Sequence, residues 1–262
     1  MKERNIAMKI IRDIAYGEGG HPAQRLDLYL PEENSFPVFV FFHGGGLEAG
    51  DKADEPFCAE LAESGIAVVS ANYRMYPEAV FPEFLQDGAA AVAWAVGNVS
   101  RYGKPTGFFV GGSSAGGYIT QMLCFDSTYL CQLGVDVDGL SGFVMDAGQP
   151  TTHFRVLRQR GMDPRRVLID EAAPLYYIDR EKAYPPMLIL VADQDMANRY
   201  EQTMLLVRTL GHFNCASGGV QLKCIQGSGH CEYHNWKTPE GENYFGRLVK
   251  DFITGITGTP RQ

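Results

Sequence analysis

Gly107-Phe108-Phe109-Val110-Gly111-Gly112-Ser113-Ser114-Ala115-Gly116-Gly117 is the stretch on which the fold turns. It runs from an apolar strand-like segment through a G-x-S-x-G pentapeptide, Gly112 to Gly116, into a helix-like stretch that begins at Tyr118. A serine on a sharp strand-to-helix turn needs small residues two positions to either side, because a larger side chain would strike the neighbouring strand or the helix start. Glycine stands at both places around Ser114. Ser113 is the rival, but its own frame, Gly111-Gly112-Ser113-Ser114-Ala115, lacks the second glycine. Ser114 is therefore the candidate nucleophile. Such a turn lifts the hydroxyl to the carboxyl edge of a sheet, where a histidine can reach it and helix amides face the reacting group.

Working outward, the apolar run Val38 to Phe42 ends in His43-Gly44-Gly45-Gly46, a place where backbone N–H groups can form an oxyanion hole. His43 reads as a brace for this loop rather than a proton carrier. Downstream, Met187 to Ala192 reads as a buried strand that ends in Asp193-Gln194-Asp195. The strand-like Val220 to Ile225 leads into Gln226-Gly227-Ser228-Gly229-His230. Nucleophile, carboxylate and histidine thus occur in the order Ser, Asp, His. His21, His153, His212 and His234 lack a strand-then-glycine setting and read as surface or cap residues, while Asp87, Asp146 and Asp170 read as structural.

These segments resemble the α/β-hydrolase superfamily, and within it the esterase/lipase branch of hormone-sensitive-lipase-like carboxylesterases and small bacterial feruloyl or acetyl esterases. The resemblance runs from about Asp27 to Phe252 and rests on His43 to Gly46 with Gly50-Asp51-Lys52, Asn72-Tyr73-Arg74, Gly112 to Gly117, and Gly227 to His230. It implies an α/β-hydrolase fold: a mostly parallel eight-stranded sheet with helices on both faces and a small cap insertion. It further implies a serine hydrolase acting on small carboxylic esters through an acyl-enzyme, with acetyl or feruloyl esters of sugars as leading substrates and no cofactor. The triad would be Ser114, His230 and Asp195, and the oxyanion donors the N–H groups of Gly45, Gly46 and Ala115. In relatives the carboxylate stands three residues after a glycine; Ala192 fills that position here, which selects Asp195 over Asp193. Leu47 stands where relatives carry Trp or Phe, and Leu47, with His153 and Tyr176 of the segment at 149–185, makes up the candidate substrate contacts. Cys231 after His230 is a second departure, either a packed thiol or an oxidation-sensitive one. An arylformamidase that cleaves an N-formyl amide, and a catalytically silent binding module, are the alternatives.

The order of apolar and helix-like runs gives six core strands, Val38 to Phe42 and Phe108 to Gly112 among them, a helix from Tyr118 to Leu130, and a preceding hairpin, Met8 to Tyr16 with Arg25 to Leu30 around a turn at Gly17 to Gly20, in one domain over residues 1–262. The long segment at 149–185 breaks the alternation and reads as a cap or lid. It carries Arg155, Arg158, Arg160, Arg165 and Arg166, which either grip an acidic substrate or form a solvated helical face. A net charge of −8 without a basic run disfavours nucleic acid as a partner. The sequence also contains no apolar stretch of about 18 residues for a membrane span. Six cysteines without a C-x-x-C pair indicate no zinc site, and the mixed-charge N-terminus lacks a signal-peptide pattern. The expectation is a cytoplasmic protein with reduced thiols, a small-molecule ester as its partner, and room for homo-oligomerisation.

Overall fold

The computed structural model describes residues 8–17, 19–178, 182–215 and 219–258. Among them eight strands form one sheet: β1 Lys9–Ala15, β2 Arg25–Leu30, β3 Ser35–Phe42, β4 Ala67–Ala71, β5 Lys104–Ser113, β6 Gly142–Asp146, β7 Met187–Ala192 and β8 Val220–Ile225. Their order is β1-β2-β4-β3-β5-β6-β7-β8. β1 and β2 pair antiparallel, as do β2 and β4; the pairs from β4 to β8 are all parallel. The helices are α1 Phe57–Glu63, α2 Glu83–Asn98, α3 Ala115–Phe125, α4 Thr128–Cys131, α5 Phe154–Gln159, α6 Arg199–His212 and α7 Tyr244–Thr257.

Strand periodicity explains how one sheet makes two cores. Along β3, Phe36, Val38, Val40 and Phe42 enter one apolar cluster while Phe39 and Phe41 enter the other. Side chains of a strand alternate faces, and here both faces are covered, so the run reads as continuously apolar. The first cluster takes Phe84 and Leu85 of α2, Ile119 and Met122 of α3, and Leu206 of α6. The second takes Phe57 and Leu61 of α1 with Phe245, Val249 and Phe252 of α7. Its aromatic centre is edge-packed: Phe57 lies 4.9 Å from both Phe41 and Phe245, centroid to centroid.

The strands expected from sequence are all present; β2, β7 and β8 have the expected bounds, while β3 and β5 begin three and four residues earlier than expected. The helix expected from Tyr118 to Leu130 is instead two pieces, α3 and α4. Asp126 accepts from both Thr128 N–H and Thr128 Oγ1–H, and that local bonding competes with continued helix. Glu18, within the turn expected at Gly17 to Gly20, lies outside the described residues.

The chain leaves β3 toward β4 on one side and later returns through β5 on the other. The carboxyl ends of β3 and β5 therefore flank a topological switch point, where an open α/β sheet leaves a crevice. His43 to Gly46 and Ser113-Ser114 both emerge there.

Candidate active site

Ser114 occupies the turn between β5 and α3 at φ 54°, ψ −109°, a conformation unfavourable for a residue with a Cβ. Surrounding glycines make that turn possible. A Cβ on Gly116 would overlap the Phe42 carbonyl of β3, and one on Gly112 would overlap the Gly116 carbonyl group. The small residues required on either side of the serine are thus dictated by backbone contacts to the neighbouring strand and to the helix start.

The structure brings Ser114, His230 and Asp195 into one hydrogen-bonded chain. Ser114 Oγ is 2.8 Å from His230 Nε2, and His230 Nδ1 is 2.6 Å from Asp195 Oδ1. Asp195 also accepts from Met196 N–H at 2.7 Å. Burial works against the Asp195 charge. The hydrogen bond and charge of His230, the Met196 amide and nearby Arg199 outweigh it, so the carboxyl pKa lies below its ordinary value. The rival Asp193 binds backbone instead, its Oδ1 accepting from Gly227 N–H at 2.9 Å and Ser228 N–H at 3.3 Å. Both strand-end carboxylates serve the loop that carries His230, Asp195 through the imidazole and Asp193 through the main chain.

The glycine loop after β3 abuts the serine. A Cβ on Gly44 would lie 3.3 Å from both Ser114 Cβ and the Ser113 carbonyl oxygen. Gly45 and Gly46 have φ of 108° and 67°, and the Gly45 carbonyl accepts from the amides of Glu48 and Ala49 in a tight turn. His43 is almost fully buried, its ring stacked 4.6 Å from that of Tyr73, whose hydroxyl donates to the His43 carbonyl at 2.9 Å. Its Nδ1 lies 2.7 Å from the Gly44 carbonyl, while burial lowers its pKa, so a neutral imidazole donates there and holds the loop.

The other candidate contacts fare differently. Leu47 is fully buried in the first core cluster, so its side chain faces the protein rather than the crevice. His153, expected at the surface or in a cap, is instead buried at 1% exposure and caps α5 by accepting Arg155 N–H on Nδ1. Burial, with the charge of Arg199, pushes its pKa well down, so the ring is neutral as its acceptor role requires. Tyr176 is 59% exposed in a single 3-10 turn, Pro174–Tyr177. The Phe154 ring of that segment does reach the glycine loop and would lie 3.3 Å from a Cβ on Gly46. No spacing rule pointed to it, because the approach depends on how α5 folds back over the sheet.

A second polar cluster lies beside the nucleophile turn. Ser113 pairs in register with Asp146 at the end of β6, and His234 Nε2 lies 2.7 Å from Asp146 Oδ2 and 3.3 Å from Ser113 Oγ. Tyr233 donates its hydroxyl to Asp146 Oδ1, and Glu55 faces His234 Nδ1 at 3.5 Å. His234, read from sequence as a surface or cap residue, is thus largely enclosed. Burial disfavours its charge, but Asp146 and then Glu55 reverse this and hold its pKa up at about 9. Ser113 Oγ is therefore engaged with His234, whereas Ser114 Oγ meets His230. Asp146, Cys231 and His234 present ligand atoms within 4.8 Å of one another. Burial, then the charge of Asp146, raises the Cys231 thiol well above its ordinary pKa, which makes it an inert thiol rather than a reactive one.

The sequence profile of the BD-FAE family matches residues 26–210. Esterase LipC of Mycobacterium tuberculosis is 29% identical over 243 residues, covering 84% of this chain and 59% of that protein. A probable isoprenylcysteine alpha-carbonyl methylesterase of Arabidopsis thaliana, ICMEL2, is 34% identical over 122 residues, 45% of this chain and 28% of that protein. The chain therefore spans less than two thirds of the length of these relatives. Among solved structures, a truncated carbohydrate esterase from gut microbiota superposes with a TM-score of 0.74 at 18% identity, over 98% of this chain and 99% of that one. An inhibited esterase B from Lactobacillus rhamnosis gives 0.75 at 20% identity, over 95% and 88%. These likenesses establish the α/β-hydrolase fold, and the extent of the profile match shows that the chain belongs to the BD-FAE family.

Proposed function

We propose that the protein is a serine hydrolase of small carboxylic esters that works through an acyl-enzyme intermediate. The observation that carries this reading is the continuous chain from Asp195 Oδ1 through His230 to Ser114 Oγ. His230 Nε2 accepts the Ser114 proton as Oγ attacks the ester carbonyl, and the oxyanion is held by the N–H groups of Gly45, Gly46 and Ala115. As the tetrahedral intermediate collapses, the same imidazole returns the proton to the departing alcohol. Water then enters by the reverse sequence and releases the acid. Asp195 fixes the imidazole tautomer and stabilises its charged form. Esterases among the relatives support an ester over an N-formyl amide, and an intact hydrogen-bonded triad is hard to reconcile with a silent binding module.

Acetyl or feruloyl esters of sugars are the leading substrates in this reading. The chain acts as one catalytic domain, with residues 149–185 as a cap that governs which ester enters. Among the described residues no helix is long and apolar enough to cross a membrane, and a cytoplasmic setting with reduced thiols belongs to the same proposal. The test combines a panel of p-nitrophenyl esters of rising acyl length, feruloyl esters, acetylated xylan and formylkynurenine with labelling by a small fluorophosphonate. Ester turnover with the label on Ser114 is expected. Turnover of formylkynurenine alone would reassign the reaction to N-formyl amide hydrolysis.

A further inference from the structure

The described arginines between Gln149 and Ile178 divide into two groups. Arg155 pairs with Glu48, Arg160 reaches Asp170 at 2.6 Å and Glu171 at 2.7 Å, and Arg165 pairs with Asp163 at 2.5 Å. Among the described residues, Arg158 and Arg166 have no carboxylate within ion-pair reach. Both line a cavity of about 270 Å³, together with Arg199 and the Asp163-paired Arg165. Arg199 is only 4% exposed, yet its guanidinium is held by neutral acceptors, the Ala147 carbonyl and, at 3.3 Å, Gln149 Oε1. A buried cation with no carboxylate in direct contact is costly, so such a group is usually paired or faces a ligand that pairs it. Arg199 feels the charge of Asp195, but that carboxylate makes its hydrogen bonds to His230 and Met196 rather than to the guanidinium.

Three further observations give the cavity a sign and a place. The molecule as a whole carries −8, so a wall of arginines here does not follow from general basicity. Ala197, Asn198 and Arg199 bring the N-terminal end of the 14-residue α6 to the wall, and Asn198 makes no side-chain capping bond there. The cavity also adjoins the triad. Phe154 on its wall reaches toward Gly46 of the glycine loop, and Met196 on its wall donates to the triad carboxylate.

We infer that the cavity lined by Arg158, Arg166 and Arg199 is a subsite for a carboxylate carried by the ester, so that the favoured substrates are esters with a negative charge on one half. The inference rests on the esterase reading and narrows it. A guanidinium offers a planar fork that matches a carboxylate, and Arg199, already oriented by Ala147 and Gln149, loses little freedom on binding one.

Two matched pairs of substrates test it, one for each half of the ester: monomethyl adipate against methyl hexanoate, and 4-acetoxybenzoate against its methyl ester. For at least one pair the parent enzyme should favour the anion by about tenfold or more in kcat/KM, with the preference shrinking as salt rises from roughly 20 to 500 mM. Arg158→Gln and Arg166→Gln, both at exposed positions, should each lower that anion-to-neutral ratio, and the double variant by about fivefold or more. Hydrolysis of the neutral members with no preference for either anion, or a preference unmoved by both substitutions, would overturn the inference and leave the esterase reading standing. Failure to hydrolyse any of the four, together with no labelling of Ser114, would remove the esterase reading and this inference with it.

Discussion

Two adjacent serines at the end of β5 have opposite chemical surroundings, and that difference is testable one residue at a time. Ser114 Oγ meets the free edge of an imidazole oriented by Asp195, whereas Ser113 Oγ sits beside an imidazole already bound to Asp146. Ser114→Ala should fold as the parent does and lose hydrolysis by a factor on the order of 10⁴ to 10⁶, because oxyanion contacts alone leave only residual catalysis. Ser113→Ala should stay within about tenfold of the parent, since it removes one long hydrogen bond. Steady-state kcat with the best ester distinguishes the two, and a reversal would transfer the nucleophile to Ser113. The aspartates separate in the same way. Asp195→Asn should lower kcat by up to about 10⁴, because an amide can donate where the imidazole needs an acceptor, while Asp193→Asn should act mainly through loop stability. Equal losses of kcat in two equally stable variants would leave the orienting residue unassigned.

At the level of elements, the nucleophile turn and the segment above it are joined by contacts distant in sequence. Tyr118 of α3 donates its hydroxyl to the Ala172 carbonyl at 2.8 Å, and Phe154 of α5 reaches the glycine loop that follows β3. The segment is also bonded within itself, where Asp170 accepts from Thr152 Oγ1, Ala172 N–H and Arg160. A self-supporting element that meets the loop after β3 through the Phe154 ring and the Arg155–Glu48 pair can alter selection without altering chemistry. Phe154→Ala should therefore change the ranking of acyl lengths, chiefly through kcat/KM, while the rate of Ser114 labelling by a small fluorophosphonate stays within roughly tenfold of the parent. Abolished labelling in a folded Phe154→Ala protein would place the ring in the catalytic apparatus itself. By contrast, His153→Ala should destabilise the fold, because it removes a buried ring packed between Tyr118 and Phe154, at centroid distances of 5.0 and 4.3 Å, and the cap of α5.

For the whole molecule, the buried pair of His234 and Asp146 links folding stability to pH. The pKa of His234 is about 9 in the folded protein against an ordinary 6.5, so the folded state binds its proton more tightly than the unfolded state does. That contribution is fully present below about 6.5 and is lost as pH rises through about 9; at about 1.4 kcal/mol per pKa unit it is on the order of 3 kcal/mol. Thermal unfolding should show Tm falling between pH 7 and 10, and His234→Gln should flatten that fall while lowering Tm at pH 7. An unchanged alkaline slope in the variant would mean that another group sets it. What the sequence determined by itself was everything carried by local pattern. Continuous apolar runs marked the core strands, and the glycines flanking Ser114 marked a turn that only small neighbours permit. The order of Ser114, Asp195 and His230 along the chain named the residues that the structure places within hydrogen-bond reach of one another. Tertiary structure alone decided which side chains share an environment. It put Leu47 in the core and His153 beneath α5, joined His234 to Asp146 across 88 residues, and left Arg158, Arg166 and Arg199 around one cavity. The physical reason is that strand period, turn sterics and helix breaking act over a few residues, whereas burial, ion pairing and pKa depend on neighbours that chain crossings bring together.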